Sequence, residues 1–499
     1  MRSSLSYPFI FLASFLAFIL IFALKYPVDH HAYIRIVEQN IANCSNWECF
    51  RQSAFTHNMR GSLFIHYLFD MVNRWQGGIN ALVPNLVASA FFNAFFVLGL
   101  FYHLMDKIKD NRHRLLWFTG FFLAFPLMIV QLFTIEDNIT YYGFFTFYLY
   151  FLINDKFGNI IDGALSGVFL GFAIWMHISP FVFLFLIALV PFSRWLPNIS
   201  GKKITISVLL ALATYYFFHI ATHFSHFWHG SFSLAFEQVP LHRYLEKAVS
   251  LEQGARAEGL SYFQALLIGF ENMNYSEGIR ILGYLAWINL IILLGLNFKT
   301  FKDNILIIFI GAIALSPVVL YEPEFSERWD FFLITLFIFL LNNRTVLNFT
   351  SLLLIFVCLQ SVNTGAMLVH ASPITNSKAQ FLVEFKELYN KYKNNDYFIF
   401  EKRFLRIDPF IISHFPKKEE NIYFSDGKKF YQTNFSLIAK GIISRDELWN
   451  NIHFDAWSAK QAIPEPKGIQ EVSDGCDIVK KEKVYISETL IESIKRNCP

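Results

Sequence analysis

Along most of this chain apolar residues come in long uninterrupted runs, separated by polar turns that are often only a few residues long. A helix needs about 20 apolar residues to cross the ~30 Å hydrocarbon layer of a bilayer, and a run without a polar stripe has no face to offer water. The runs lie at about 7–26, 82–105, 115–134, 139–153, 161–176, 180–193, 204–222, 281–297, 305–321, 329–342 and 346–368, about eleven in all. Only 16% of the 499 residues are charged and 59 are Phe, whereas soluble proteins carry about 25% charged residues. No globular core hides that much apolar surface. The pattern predicts a polytopic α-helical membrane protein with about eleven transmembrane helices, its membrane domain covering residues 1–370. The first run lacks a small-residue cleavage site, so an uncleaved first helix is expected rather than a signal peptide. A net charge of +3 gives no reason to expect a nucleic acid partner.

The placement of charge orients the runs. Alternating them across a bilayer gathers Lys107, Lys109, Arg112, Arg114, Lys156, Arg194, Lys202, Lys203, Lys299, Lys302 and Arg344 on one side. The short connections opposite hold almost no basic residue except Arg328. Such a bias marks the basic side as cytoplasmic. The outward side then holds loops 27–80 and 222–280 and the segment 371–499. In the first loop, Gly61 to Trp75 puts Leu63, Tyr67, Leu68 and Met71 on one helical face, as expected of a helix lying on a membrane surface. The second loop is expected to carry two or three helices. The tail is charged and broken by Pro409, Pro416, Pro464 and Pro466, with strand-like alternation at 397–400 and 483–487 and a helical pattern over 378–392. It reads as a small extracytoplasmic C-terminal α/β domain. Cys44 and Cys49 fall in the first outer loop, Cys476 and Cys498 in the tail, and Cys358 inside the last run. Even pairs outside fit disulfides Cys44–Cys49 and Cys476–Cys498 in an oxidising compartment, with four free thiols as the alternative.

The residues with chemistry to offer gather at the outward ends of the runs. Asp29, followed at once by His30 and His31, stands where the first run surfaces. Asp29 is either a solvated helix end or a carboxylate placed to take a proton from a hydroxyl. Glu136 and Asp137 occupy a very short outer turn, where a carboxylate caps the next helix, serves chemistry, or does both. With Asp29 and His30 they also offer oxygen and nitrogen ligands for a divalent cation, although the spacing does not require one, and no metal site is assigned. A third turn carries Glu324, Glu327, Arg328 and Asp330. Arg328 can grip a phosphate through its planar fork, or pair with Glu324 or Glu327. His177, between two short runs, is a substrate contact or a histidine satisfied by its surroundings. His219, His223, His226 and His229 share one helical face and could hold a metal, while the interleaved Phe224, Phe227 and Trp228 favour a membrane-surface helix.

This layout resembles the GT-C superfold of membrane glycosyltransferases. The likeness rests on a first span, Asp29 at the start of an outer loop with surface helices, the acidic pair Glu136 and Asp137 in the next short outer turn, and an outer C-terminal domain; it covers about residues 1–345. The resemblance implies transfer of a hexose or pentose from a polyprenyl-phosphate donor to a hydroxyl of a glycan, lipid or protein, with inversion. Catalytic roles would fall to Asp29, Glu136 and Asp137, and substrate contacts to His30, His31, His177, Glu327 and Arg328. A divalent cation is optional for a monophosphate donor. The expected location is a bacterial inner membrane with the active site outside. The rivals are a transporter or flippase of lipid-linked substrates, a glycan ligase or polymerase using Arg243, Arg256 and the 219–229 histidines, and a non-catalytic member of the superfold.

Overall fold

A computed structural model describes residues 6–24, 60–75, 82–105, 111–125, 129, 132, 139–177, 179–193, 200–222, 262–274, 280–296, 305–320, 329–342, 351–366, 391–392, 394–402, 421–433 and 469–498. The chain divides into two compact units. One comprises Met1–Ile21, Phe55–Ile65 and Ala88–Ser372, and the other Phe22–Ala54, His66–Val87 and Pro373–Pro499.

The described residues are predominantly helical, and a helix stands in each apolar run. In chain order these are α1 (Ser6–Leu24), α2 (Arg60–Trp75), α3 (Leu82–Met105), α4 (Asn111–Leu123), α5 (Ile139–Ile153) and α6 (Asn159–Met176). A 3-10 helix (Ser179–Phe192) follows, then α7 (Gly201–Thr222), α8 (Tyr262–Asn274), α9 (Arg280–Leu296), α10 (Ile305–Leu320), α11 (Asp330–Asn342) and α12 (Ser351–Ala366). Among the described residues two stretches are long and apolar enough to cross a membrane, Val87–Leu104 and Asn159–Met176, and the other apolar helices are shorter.

The segment expected as a short span at 180–193 is not an α-helix. Its 14 residues wind as a 3-10 helix with Pro191 inside. The tighter winding rises ~2.0 Å per residue and so reaches about 28 Å, where an α-helix of that length reaches about 21 Å. The run expected at 115–134 also differs, because α4 ends at Leu123 and a turn follows at Ala124.

Within the first unit the tightest helix pair is α6 on α7, and its cause is visible in the sequence. Gly163, Gly167 and Gly171 recur every fourth residue along α6, and a Cβ on any of them would collide with α7. At Gly163 it would meet the Lys203 carbonyl at 2.8 Å, and at Gly171 the Ala211 carbonyl at 2.7 Å. At Gly167 the Ser207 carbonyl blocks the place. Small residues at this spacing let two backbones approach closely. Ser207 Oγ donates to Ser166 Oγ across the seam at 3.0 Å. Other helices are tied by buried polar side chains. Asn93 Nδ2 donates to the Leu132 carbonyl at 2.7 Å, and His103 Nε2 meets the Thr146 carbonyl at 2.9 Å, linking α3 to α5. Asn289 joins α9 to the Leu352 carbonyl of α12, and Thr364 of α12 donates to the Leu123 carbonyl of α4. Outside these seams large apolar side chains face outward, among them Ile281, Leu285, Ile288, Ile291 and Ile292 along α9.

The second unit contains a five-stranded sheet of order β4-β3-β2-β1-β5, from β1 (Tyr397–Glu401), β2 (Ile422–Ser425), β3 (Phe430–Thr433), β4 (Ile469–Val472) and β5 (Val484–Ile486). β1 lies parallel to both β2 and β5, while β3 runs antiparallel to β2 and β4. Alternation in β1 sends Ile399 into a core with Tyr423, Phe430, Ile478, Leu490, Ile494 and Cys498. That core is closed by α13 (Gly475–Val479) and α14 (Ile491–Asn497). Cys476 and Cys498 form the disulfide expected from their pairing, with Cα atoms 5.2 Å apart. The β2–β3 turn is built by Asp426, whose Oδ1 accepts the backbone N–H of both Lys428 and Lys429, and by Gly427 at φ 90°. The helix expected over 378–392 is described only at 391–392, and Cys44 and Cys49 lie outside the described residues.

Candidate functional site

Of the residues singled out in the sequence, Asp29, His30, His31, Glu136, Asp137, Glu327 and Arg328 lie outside the described residues, and His177 lies within them. The three helix ends beside those segments in the chain are described. α5 starts two residues after Asp137, α11 starts two residues after Arg328, and α6 closes on His177.

These ends meet. Tyr142, in the first turn of α5, donates its hydroxyl proton to Asp330 Oδ2 at the first residue of α11. Both side chains are fully buried. A carboxylate withdrawn from water requires such a donor, because desolvation otherwise penalises it by several kcal/mol. The neighbouring Tyr141 ring lies 5.2 Å from the His177 ring and 5.1 Å from Phe331, with which it stacks. One two-residue step along α5 therefore touches both other ends. Beneath this contact Phe145, Tyr148, Phe183 and Phe331 pack ring against ring.

At His177 the backbone is extended, and its N–H still bonds the Ala173 carbonyl of α6. The backbone N–H of Ser179 donates to its Nδ1 at 3.1 Å. With Nδ1 accepting this N–H, a neutral imidazole carries its proton on Nε2. At 9% exposure it is nearly enclosed. The N-terminal turn of α2 packs on the same end of α6: Phe64 lies 5.8 Å from Trp175, and Gly61 sits so close that a Cβ would stand 2.7 Å from that indole and 2.9 Å from Met176 Sδ. Further along α2, Leu68 and Met71 of the expected apolar face are exposed, as is Val72, while the side chains of Leu63 and Tyr67 lie outside the described ones.

Sequence reading missed Tyr142 and Asp330 as a pair. Asp330 carried a signal, being an acidic residue opening an otherwise apolar helix, whereas Tyr142 is one of many aromatic residues in α5. His219 ends up beside Tyr215 in α7, while His223, His226 and His229 fall outside the described residues. Among the described residues no group of three or more His, Cys, Asp or Glu side chains is placed to hold a metal ion.

The other end of α5 and α6 has a different character. Asp162 Oδ2 accepts the backbone N–H of Lys156 and Phe157 at 2.8 and 3.0 Å. Lys203 Nζ reaches the Asn154 carbonyl at 2.6 Å and Asp155 Oδ1 at 3.0 Å. These bonds close the turn between the two helices, and they account for its charged residues as structure. Tyr141, Tyr142, His177 and Asp330 meet at the opposite end. No protein-family model, curated protein or solved structure matches this chain.

Proposed function

We propose that this chain is a multi-pass membrane glycosyltransferase of the GT-C type, taking a sugar from a polyprenyl-phosphate donor at the outward face. The observation that carries the reading is the meeting of the starts of α5 and α11 with the end of α6, because the acidic turn and the turn with Arg328 lead directly into α5 and α11. The glycine seam of α6 and the outward apolar side chains of α9 support a bilayer as the surrounding medium. The Cys476–Cys498 disulfide supports an oxidising compartment for the C-terminal unit.

In this reaction the Asp29 carboxylate takes the proton of an acceptor hydroxyl, and the resulting oxygen nucleophile attacks the sugar C1 from the face opposite the phosphate. The C1–O bond to the lipid phosphate breaks with its electron pair going to the phosphate, and the anomeric configuration inverts. Arg328, His30 and His31 balance charge on the departing phosphate, and His177 offers its Nε2–H. Glu136 and Asp137 orient the acceptor or hold a divalent cation where the donor requires one.

The test is transfer of a radiolabelled hexose or pentose from its polyprenyl phosphate by protein reconstituted in liposomes. Asp29→Asn keeps the side chain's shape and removes its basicity, so turnover should fall at least about a hundredfold with insertion unchanged. Normal turnover by that variant would remove Asp29 from the mechanism. Arg328→Ala should raise the donor KM more than the acceptor KM; equal changes would make Arg328 an ion-pair residue only.

A further inference from the structure

The buried Tyr142–Asp330 bond joins two places in the chain that are 188 residues apart. On the transferase reading, we infer that Tyr142 and Asp330 are positioning residues that fix the start of α5 against the start of α11, the two helices that follow the acidic turn and the turn with Glu327 and Arg328 in the chain. Asp330 is the one ionisable residue of α11, whose other twelve residues are Phe, Leu, Ile, Thr and Asn. A carboxylate buried at the end of an apolar helix is expensive, and two well-packed apolar side chains in its place are often neutral or stabilising. What the polar pair adds is register: one donor and one acceptor satisfy each other at a single setting of α5 against α11, whereas apolar surfaces tolerate sliding. Apolar packing already surrounds the pair, since Tyr141 stacks on Phe331 and Phe145 packs edge-on against the same ring. The bond therefore selects one arrangement among those the aromatic contacts permit. Asp137 and Arg328 precede Tyr142 and Asp330 by five and two residues in the chain, so a slip of α5 against α11 would be passed to the groups proposed to hold donor and acceptor. Misplacement of reacting groups by about 1 Å costs on the order of a hundredfold in rate.

Tyr142→Phe removes only the hydroxyl, Asp330→Ala removes its acceptor, and Asp330→Asn keeps an oxygen that accepts the same hydrogen bond. In the liposome assay, Tyr142→Phe and Asp330→Ala should lower kcat about ten- to a hundredfold at nearly constant donor KM, while Asp330→Asn stays within about threefold of the parent. A Tyr142→Phe enzyme with parental kcat would overturn the inference. So would an Asp330→Asn enzyme as slow as Asp330→Ala, because the carboxylate's charge would then matter and not its place. A readout independent of activity separates this inference from the transferase reading. Spin labels at Asn138→Cys and Ser326→Cys, with Cys44, Cys49 and Cys358 replaced by Ser, should give one narrow distance in the parent and a broadened one after Tyr142→Phe. Broadening in a protein that transfers no sugar would retain the clamp and discard the enzyme. An unchanged distribution in a protein that does transfer sugar would retain the enzyme and discard the clamp.

Discussion

Removing the disulfide of the C-terminal unit gives a perturbation whose size follows from the chain. Cys476 and Cys498 are separated by 22 residues. Closing a loop of that length removes about 11 cal/mol/K from the unfolded ensemble, or about 3.4 kcal/mol at 25 °C in the chain-entropy description. The bond also anchors the core directly, since Cys498 is buried with Ile399, Tyr423, Phe430 and Ile494. Replacing both cysteines by Ala avoids placing a new hydroxyl in that core, so the entropic part should dominate. At 1.4 kcal/mol per tenfold, 3.4 kcal/mol corresponds to an increase of about three hundredfold in the population of the opened unit. Native-state hydrogen exchange on the full-length protein would read this at the amides of β1 and α14. Helices α5, α6 and α7 should keep their exchange rates. An acceleration below about fivefold at Ile399 and Ile494 would refute the claim that this bond holds the unit together.

Three further outcomes are expected. Gly167→Leu forces a side chain into the Ser207 carbonyl and Leu210 of α7, an overpacking that should cost about 1–3 kcal/mol and lower the thermal midpoint of the detergent-solubilised protein; a midpoint at the parental value would deny the close α6–α7 seam. Burial pushes the Asp426 carboxyl up, but the N–H groups of Lys429 and Lys428, the Tyr431 hydroxyl and the Lys402 charge outweigh it and hold it below its ordinary 3.8. A depressed folded value stabilises above the unfolded one and loses that contribution as pH falls through it, so exchange at the β2–β3 turn should accelerate below about pH 4 in the parent and show no such dependence in Asp426→Asn. Burial pushes the Tyr485 phenol up to about 12, partly opposed by a hydrogen bond with Ser487. The unfolded chain ionises first on the alkaline side, so that contribution is complete below pH 10 and disappears towards pH 12; an equal alkaline loss in Tyr485→Phe would exclude Tyr485 as its source.

The helices of this protein were legible because an all-apolar run between polar turns leaves few other foldings, and the expected run 139–153 coincides with α5. The same uniformity hid the winding of Ser179–Phe192. With no polar residue in the stripe, nothing in the sequence reports whether the period is 3.6 or 3.0. The α6–α7 seam had a readable signal in Gly163, Gly167 and Gly171, which hydropathy alone passes over. In the C-terminal unit, the strand-like stretches expected at 397–400 and 483–487 correspond to β1 and β5, whereas the four-residue strands β2, β3 and β4 were not expected. The disulfide was legible from the even placement of cysteines. Tyr142 and Asp330 were not, because a single hydrogen bond across 188 residues leaves no local pattern. The same holds for the approach of Tyr141 to His177 and Phe331, which exists only once three helices have packed.

The proposed transferase reaction requires Asp29, Glu136 and Asp137 to act on one substrate. An experimental structure of the full chain in lipid, with a polyprenyl-phosphate sugar bound, would measure the separation of the Asp29 carboxylate from those of Glu136 and Asp137. Cooperating carboxyl groups in sugar chemistry stand about 5–10 Å apart, and that separation around one outward cavity open to lipid is the expected result. An Asp29 carboxylate in bulk solvent, well beyond that range and away from the donor phosphate, would contradict the account.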